Sequence, residues 1–169
     1  MNYKTMTHCT DCGAALEIRH LDGEGDVPFC PVCGEWRFPI FNTAVSMVVL
    51  DESREHVLLI KQYGRPHFIL VAGYVSRGEA AEAAVRREIA EETGLEVVLT
   101  HFNRSRYFEP SNTLMLNFTA VTKGPLHTNS EIDSCRWFTL PEASENIKDK
   151  SLAQWFLENY LEDRRKRGQ

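Results

Sequence analysis

The chain has 169 residues, of which 43% are hydrophobic and 25% are charged, and its formal net charge is −5. This length suits one domain of ordinary size with a small appendage, and the composition excludes bulk disorder because it offers enough apolar surface for a core. The negative charge argues against binding of nucleic acid through overall charge, and no stretch approaches the roughly 18 apolar residues of a membrane span. Residues 1–12 lack the apolar centre of a signal peptide, so we expect a cytoplasmic protein.

Two Cys-x-x-Cys pairs lie near the N-terminus, and a glycine follows each of them. The pairs are Cys9 with Cys12 and Cys30 with Cys33. Four converging thiolates form a closed tetrahedral site, so we expect a structural Zn²⁺ ion in a small ribbon whose residues 14–29 form strands and a turn. The alternatives are two disulfides, which a cytosolic location disfavours, and redox pairs, which the lack of a surrounding βαβ pattern disfavours.

Pro39 marks the predicted domain boundary, which gives a zinc ribbon over residues 1–38 and a second domain over residues 39–169. Beyond it, apolar and β-branched runs predict strands, the first two forming a hairpin, and apolar residues at helical spacing predict a last helix with Ser151 as N-cap. The predicted strands are residues 42–50, 57–62, 68–72, 96–102, 114–121 and 136–138, a helical turn starts at residue 140, and the last helix is residues 151–165.

Three carboxylates occupy helical positions i, i+3 and i+4 in the middle of the chain, at Glu88, Glu91 and Glu92. On an α-helix these positions share one face. The residues between them on that face, Ala80 and Ala84, are small and supply no neutralising cation. Hard oxygen donors without a counter-charge are what Mg²⁺ or Mn²⁺ requires, although an acidic helix face can also be simply solvated.

The spacing around these carboxylates is more restrictive than an acidic helix needs. It runs Gly73, five residues, Glu79, seven residues, Arg87-Glu88-Ile89, one residue, Glu91-Glu92, one residue, Gly94-Leu95. This order resembles the Nudix box without a departure. The resemblance implies an α/β fold, the Nudix α/β/α sandwich, in which Arg87 and Glu79 form a structural ion pair. It also implies a hydrolase that uses a divalent metal to cleave a nucleoside diphosphate linked to another group.

A four-cysteine ribbon directly before such a domain is similar to the NADH pyrophosphatases, which also remove NAD caps from RNA. That subfamily holds its dinucleotide with a stretch reading Ser-Gln-Pro-Trp-Pro-Phe-Pro-x-Ser-Leu-Met. The same distance after this box gives residues 105–115, SRYFEPSNTLM. The first serine, an aromatic residue in place of Trp and the final Leu-Met match, whereas the Gln-Pro, the later prolines and the aromatic between them do not.

The resemblance also implies roles for individual residues. Glu131 is implied as a further metal-binding glutamate, and Asp133 competes with it because the loop register is ambiguous. The implied catalytic residues are Glu88, Glu91, Glu92 and Glu131. The implied metal ligands are the backbone carbonyl of Ala72 and the side chains of Glu88, Glu91, Glu92 and Glu131. The implied substrate contacts are Phe38, Arg106, Tyr107, Phe108, Thr113 and Ala153.

The implied reaction is hydrolysis of a pyrophosphate bond by water that Mg²⁺ or Mn²⁺ activates, with NAD(H) giving AMP and NMN(H), and with NAD-capped RNA as a further substrate. Glu91, Glu131 or another carboxylate would accept the proton. The alternatives are a Nudix pyrophosphatase of ADP-ribose, FAD or another nucleoside diphosphate derivative, and a nucleotide-sensing regulator. Sensors usually lose box carboxylates, and all of them are present here. The subfamily often works as a homodimer, so a homodimer is expected.

Overall fold

The computed structural model describes residues 6–168. This part of the chain folds as two compact units, one ending at Phe41 and the other starting at Asn42. The predicted boundary, between residues 38 and 39, lies slightly earlier in the sequence. The assignment of the two segments as a zinc ribbon and a second domain stays a prediction. Within residues 6–168, no helix combines the length and the apolar character of a membrane span.

The first unit is a three-stranded antiparallel sheet in the order β1-β2-β3. Its strands are β1 (Glu17–Leu21), β2 (Gly25–Cys30) and β3 (Glu35–Trp36). The turn between β1 and β2 closes where the Glu24 amide donates to the Leu21 carbonyl at 3.0 Å. The buried apolar residues of this unit among those described are Cys9, Val27 and Cys30. So few buried side chains cannot stabilise a unit of this size, which therefore depends on its cysteines.

The second unit is built around a mixed six-stranded sheet. Its strands are β4 (Asn42–Leu50), β5 (His56–Gln62), β6 (Val71–Tyr74), β7 (Glu96–Phe108), β8 (Thr113–Lys123) and β9 (Ile132–Thr139), and its helices are α1 (Ala81–Thr93), α2 (Leu140–Asn146) and α3 (Leu152–Lys166). The strand order is β7-β8-β4-β5-β9, with β6 also paired to β4. The central pair β4 and β8 is parallel, whereas the other pairs are antiparallel.

Strand β4 alternates between two hydrophobic cores. Val45, Met47 and Val49 pack in the core that includes α1, whereas Val48 and Leu50 pack in the core that includes α2 and α3. The first core takes Ala84, Val85 and Ile89 from α1, and the second takes Ala143 from α2 with Phe156 and Leu157 from α3. The period of two along the strand therefore places helices on both faces of the sheet. The predicted α/β/α sandwich is confirmed.

The strand that leads to the glutamate helix begins later than predicted. Residues 68–72 were expected to form it, but Ile69 makes only an isolated antiparallel bridge to Ile60 of β5. The chain then changes partner, and Val71 pairs with Met47 of β4. Strand β6 therefore lies beside the part of β4 that runs toward Asn42. Which neighbour a short apolar run pairs with is decided by the sheet and cannot be read from the run itself.

Strand β7 continues beyond the predicted end at residue 102, to Phe108. The first four residues beyond that end, 103–106, are polar, and the two arginines among them bind α3. Arg104 donates to Asn159 and Asp163, and the Arg106 guanidinium lies 4.4 Å from the centre of the Trp155 ring. The strand continues through this polar segment because β8 pairs with it as far as Phe108, and α3 supplies partners for the two arginines.

Helix α3 begins as predicted. Ser151 is its N-cap, and the Gln154 amide donates to the Ser151 hydroxyl at 3.1 Å. Helix α2 also has a side-chain cap, because Thr139 and Glu142 form a reciprocal capping box. These two caps fix where the chain turns from β9 into the helices that cover the second core.

Candidate active site

Helix α1 presents its glutamates to a cavity of about 590 Å³ in the second unit. The helix ends at Gly94, whose φ of 69° closes it in the left-handed conformation. Apart from residues of α1, the cavity is lined by residues from strand ends and loops. The lining residues are Ala44, Gln62, Tyr63, Ala72, Gly73, Tyr74, Ser76, Arg87, Glu88, Glu91, Glu92, Ser111, Thr113, Met115, Asn129 and Glu131. Four carboxylates from two parts of the chain therefore share one cavity.

Glu88 lies directly against the backbone of Gly73. A Cβ atom at Gly73 would lie 1.9 Å from Glu88 Cδ and 2.2 Å from its Oε1. Only glycine leaves room there for the carboxylate. The first glycine of the box thus acts together with a glutamate of the helix, although 15 positions separate them in the sequence.

Replacing Gly73 by alanine should lower kcat/KM about a hundredfold, because an ångström-scale displacement of a reacting group has an effect of that size. The fold should persist, since the clash involves the end of a flexible side chain. Steady-state kinetics and thermal unfolding test both statements. If the added methyl group acts through Glu88, the double variant Gly73→Ala/Glu88→Gln should be no less active than Glu88→Gln alone. A further drop in the double variant would contradict this explanation.

The carboxylates of this face do have a neutralising cation, contrary to the sequence-based expectation. Arg87 Nη1 donates to Glu88 Oε1 at 2.7 Å and to Glu91 Oε2 at 3.2 Å. The same guanidinium binds both oxygens of Glu79, at 2.8 and 2.9 Å, so the expected ion pair is present. These bonds, followed by the Ser76 amide, lower the pKa of Glu79 to about 2. The spacing itself predicts the contact with Glu91, because Arg87 and Glu91 are i,i+4 neighbours on the helix surface.

Glu92 is the buried member of the cluster. The residue is 5% exposed, and its Oε2 receives no hydrogen bond within residues 6–168. Burial, followed by the charges of Glu88, Glu131 and Glu91, raises its pKa to about 7. A buried carboxylate without a donor is stabilised either by a proton or by a cation. Its surroundings therefore fit a divalent metal.

The free energy of unfolding of the metal-free protein should fall as pH rises from about 4.5 to about 7, the ordinary and the raised pKa of Glu92. Below this window both states are protonated, and within it the unfolded state loses its proton first, so ionisation favours unfolding. Urea unfolding in EDTA at pH 4.5 and pH 8 measures the effect. Glu92→Gln should show a smaller loss of stability over this range, whereas Glu82→Gln, at an exposed position of the same helix, should behave like the unaltered protein. An equal change in the free energy of unfolding between pH 4.5 and pH 8 for all three proteins would contradict the prediction.

The loop between β8 and β9 brings Glu131 to the cavity wall, whereas Asp133, in β9, does not line the cavity. Asp133 Oδ2 instead accepts the Gly64 amide at 2.7 Å. Glu131 Oε2 accepts the Tyr63 hydroxyl at 2.8 Å, and this bond raises the pKa of Tyr63. No sequence motif marks Tyr63 as a residue of the site. Its backbone φ of 56° is left-handed, which is unusual for an aromatic residue and is a property of the folded chain alone.

The predicted substrate contacts fall in different places. Thr113 lines the cavity, together with the neighbouring Ser111 and Met115. Within the second unit, Arg106, Tyr107, Phe108 and Ala153 are not among its lining residues. Arg106 stacks on Trp155, and the Tyr107 hydroxyl donates to Asn112 Oδ1 at 2.6 Å. Phe108 is 37% exposed at the end of β7, and Ala153 packs at the second core. Phe38 is an exposed residue of the first unit. Their roles as substrate contacts stay predictions.

The four cysteines of the first unit form a compact cluster. Their sulfurs lie within 4.8 Å of one another, with Cys9 and Cys33 3.9 Å apart and Cys12 and Cys30 3.5 Å apart. A tetrahedral Zn²⁺ site with bonds of about 2.3 Å places its sulfurs about 3.8 Å apart, so the arrangement fits zinc. All four thiols are free, which leaves no disulfide in the ribbon.

Backbone amides and one arginine surround the first of these cysteines. The backbone amides of Cys12 and then Asp11, assisted by Arg37, lower the pKa of Cys9 to about 6. Arg37 Nε donates to Cys9 Sγ at 3.2 Å, and its Nη2 donates to Asp11 at 2.8 Å. Donors at this sulfur favour the thiolate, which is the form that binds metal.

Known proteins share both the sequence and the architecture of this chain. The NUDIX domain profile matches residues 41–157. NAD-capped RNA hydrolase NudC of Stutzerimonas stutzeri is 30% identical over 157 residues, which cover 90% of this chain and 55% of that protein. NAD-capped RNA hydrolase ndx-9 of Caenorhabditis elegans is 31% identical over 166 residues, which cover 92% of this chain and 43% of that protein. The chain spans about half the length of the curated relatives it matches.

Solved structures with the same fold are less similar in sequence. The crystal structure of a NUDIX hydrolase from Nitrosomonas europaea aligns with a TM-score of 0.66 at 22% identity, over 97% of this chain and 94% of that chain. The MutT NUDIX hydrolase from Burkholderia pseudomallei aligns with a TM-score of 0.59 at 19% identity, over 72% of this chain and 98% of that chain. At these identities the likeness shows a shared fold.

Proposed function

Because this chain belongs to the Nudix domain family, we propose that it is a metal-dependent pyrophosphatase that cleaves the pyrophosphate bond of a dinucleotide. One observation carries the proposal: the buried, donor-free Glu92 faces a cavity that it shares with Glu88, Glu91 and Glu131. Such a cluster binds hard cations, and a pyrophosphate requires cations to neutralise its charge before a nucleophile can approach.

Mg²⁺ or Mn²⁺ would be held by Glu88, Glu92 and the carbonyl of Ala72, with Glu91 and Glu131, which line the same cavity, as the further predicted ligands. When bound, the metal neutralises phosphate charge and acidifies water for attack on phosphorus. Glu91 and Glu131 are the more exposed carboxylates, and either can accept the proton of the attacking water. Arg87 fixes the direction of Glu88 and Glu91, and Ser111, Thr113 and Asn129 offer polar groups to the phosphates.

We propose NAD(H) as the preferred substrate, hydrolysed to AMP and NMN(H), with NAD-capped RNA as a further substrate. The support is the likeness to relatives named NAD-capped RNA hydrolases, together with the ribbon before the Nudix domain. A second candidate is a pyrophosphatase of ADP-ribose, FAD or another nucleoside diphosphate derivative. It is favoured by the positions of Arg106 and Tyr107, whose side chains bind Trp155 and Asn112 instead of lining the cavity. A nucleotide-sensing regulator is the third reading.

We further propose that Zn²⁺ in the four-cysteine cluster is structural and that the protein works in the cytoplasm. The sulfur spacing supports zinc, and the free thiols suit a reducing compartment. We also propose a homodimer, on the family resemblance alone. Light scattering would then give about twice the 19.4 kDa of one chain, and a mass of one chain would refute the dimer.

The test is a substrate screen of the purified protein with Mg²⁺ and with Mn²⁺ against NADH, NAD, ADP-ribose, FAD and NAD-capped RNA. We expect NADH or NAD to give the highest kcat/KM, with AMP and NMN(H) as products. Preference for ADP-ribose or FAD would support the second candidate. Tight binding of these compounds without cleavage in the presence of either metal would contradict the proposed pyrophosphatase activity and favour a nucleotide-sensing regulator.

A further inference from the structure

Two buried side-chain oxygens receive no hydrogen bond within the part of the chain that the structure describes. They are Glu92 Oε2 and Gln62 Oε1. Both residues line the same cavity, although Glu92 comes from α1 and Gln62 ends β5. A buried acceptor without a hydrogen-bond donor is unfavourable, so two of them in residues that line one cavity indicate that a ligand satisfies both. The Nudix box implies a metal ligand at Glu92, which accounts for its unsatisfied oxygen, but it implies no role for Gln62.

A shift in strand pairing controls how Gln62 leaves the sheet. Lys61 pairs with Ser134 of β9, but the next pair joins Gln62 to Ile132, so the register skips Asp133. An extra residue on one strand is a β-bulge, which bends the strand and redirects side chains, and bulges occur often beside active sites. Here the bulge lies at the point where β5 reaches the cavity.

A tight turn then removes the chain from the cavity directly after Gln62. Tyr63 and Gly64 have φ values of 56° and 67°, and the Arg65 amide donates to the Gln62 carbonyl at 3.1 Å. Positive φ at both central residues is the pattern of a type I′ turn. The Gly64 amide donates to Asp133 Oδ2 at 2.7 Å, so the skipped residue of β9 anchors the turn. The backbone on both sides of Gln62 is therefore held in place.

We propose that Gln62 Oε1 is a ligand of the same divalent cation that Glu88 and Glu92 hold, an inference that rests on the proposed function. An amide oxygen is a hard, neutral donor of the kind that Mg²⁺ and Mn²⁺ accept. The cavity already contains four carboxylates. A neutral oxygen would add a donor without adding to their repulsion, and the cation would supply the partner that Gln62 Oε1 lacks.

The experiment measures Mn²⁺ binding to the full chain in the absence of any nucleotide, with free Mn²⁺ counted by its electron paramagnetic resonance signal. Gln62→Met keeps the length of the side chain and removes the oxygen, so it should weaken Mn²⁺ binding roughly 10- to 100-fold. Gln62→Glu restores an oxygen donor and should bind Mn²⁺ more tightly than Gln62→Met. Lys61→Met is the matched control, because Lys61 lies over the Phe68 ring and outside the cavity lining, and its binding should stay within about twofold of the unaltered protein.

The outcomes separate this inference from the proposed function. Unchanged Mn²⁺ binding in Gln62→Met, with a raised KM for the dinucleotide, would overturn the inference and make Gln62 a substrate contact. Glu92→Gln in the same assay tests the metal site itself. If Glu92→Gln loses Mn²⁺ and Gln62→Met does not, only the role of Gln62 fails. If Glu92→Gln binds Mn²⁺ as tightly as the unaltered protein, both the proposed metal site and the role of Gln62 fail. Thermal unfolding of each variant confirms that binding is compared between folded proteins.

Discussion

Replacing Glu92 by glutamine should lower kcat for dinucleotide hydrolysis about a thousandfold, the size of effect seen when one main charge-stabilising group is removed. Glutamine keeps the volume of the side chain and loses its charge. Glu92 is 5% exposed and faces the shared cavity, so no other described carboxylate can take its place without moving. Steady-state kinetics with NADH and Mg²⁺ measure the loss.

The same substitution should leave the fold intact. Burial raises the pKa of Glu92 to about 7, so in the metal-free protein at pH 8 this buried carboxyl is mostly ionised without a partner, whereas glutamine stays neutral at every pH. We therefore expect Glu92→Gln to be at least as resistant to urea as the unaltered protein at pH 8. Loss of activity together with unchanged or higher stability is the signature of a ligand rather than of a packing residue. A variant that keeps most of its activity would refute the role of Glu92, and Glu82→Gln on the same helix should retain full activity.

Removing zinc should unfold the first unit and spare the second. Among the described residues of the first unit only Cys9, Val27 and Cys30 are buried apolar side chains, whereas the second unit has two extended cores. Zinc binding supplies about 10–16 kcal/mol in peptides of this kind, more than so few apolar contacts can replace. Cys30→Ser, at the fully buried member of the cluster, should therefore bind less than one zinc per chain and lose the packing of Trp36 on Phe29, whose rings lie 5.0 Å apart.

Zinc content by a chromogenic chelator, tryptophan fluorescence and limited proteolysis together measure this change. Protease should cut between residues 6 and 41 in Cys30→Ser and leave a resistant fragment that begins near Asn42. The control is Cys135→Ser, because Cys135 lies in β9 of the second unit and outside the cluster. It should keep one zinc and the protease resistance of the unaltered protein. A first unit that stays folded without zinc would contradict the structural role.

The box residues and the cysteine pairs could be predicted from the sequence because their partners lie at short, regular separations. Glu88 and Glu92 share a helix face by the period of the α-helix, and Ser151 caps α3 by a contact three residues long. Contacts between distant segments could not be predicted in this way. The sequence does not reveal that Glu88 lies against Gly73 or that the Tyr63 hydroxyl reaches Glu131, whereas the Arg87–Glu91 pair, at positions i and i+4 of one helix, follows from local spacing.

By itself, the sequence determined that this chain joins a four-cysteine ribbon to a Nudix domain and that its helix carries a row of glutamates. Only the tertiary structure decided which of those glutamates is buried, which loop faces them, and that Gln62, whose side-chain oxygen has no hydrogen-bond donor, lines the same cavity. The physical reason is that local spacing sets the direction of a side chain on its own helix or strand. Burial, charge and the supply of hydrogen-bond donors depend on segments that become neighbours only when the sheet forms.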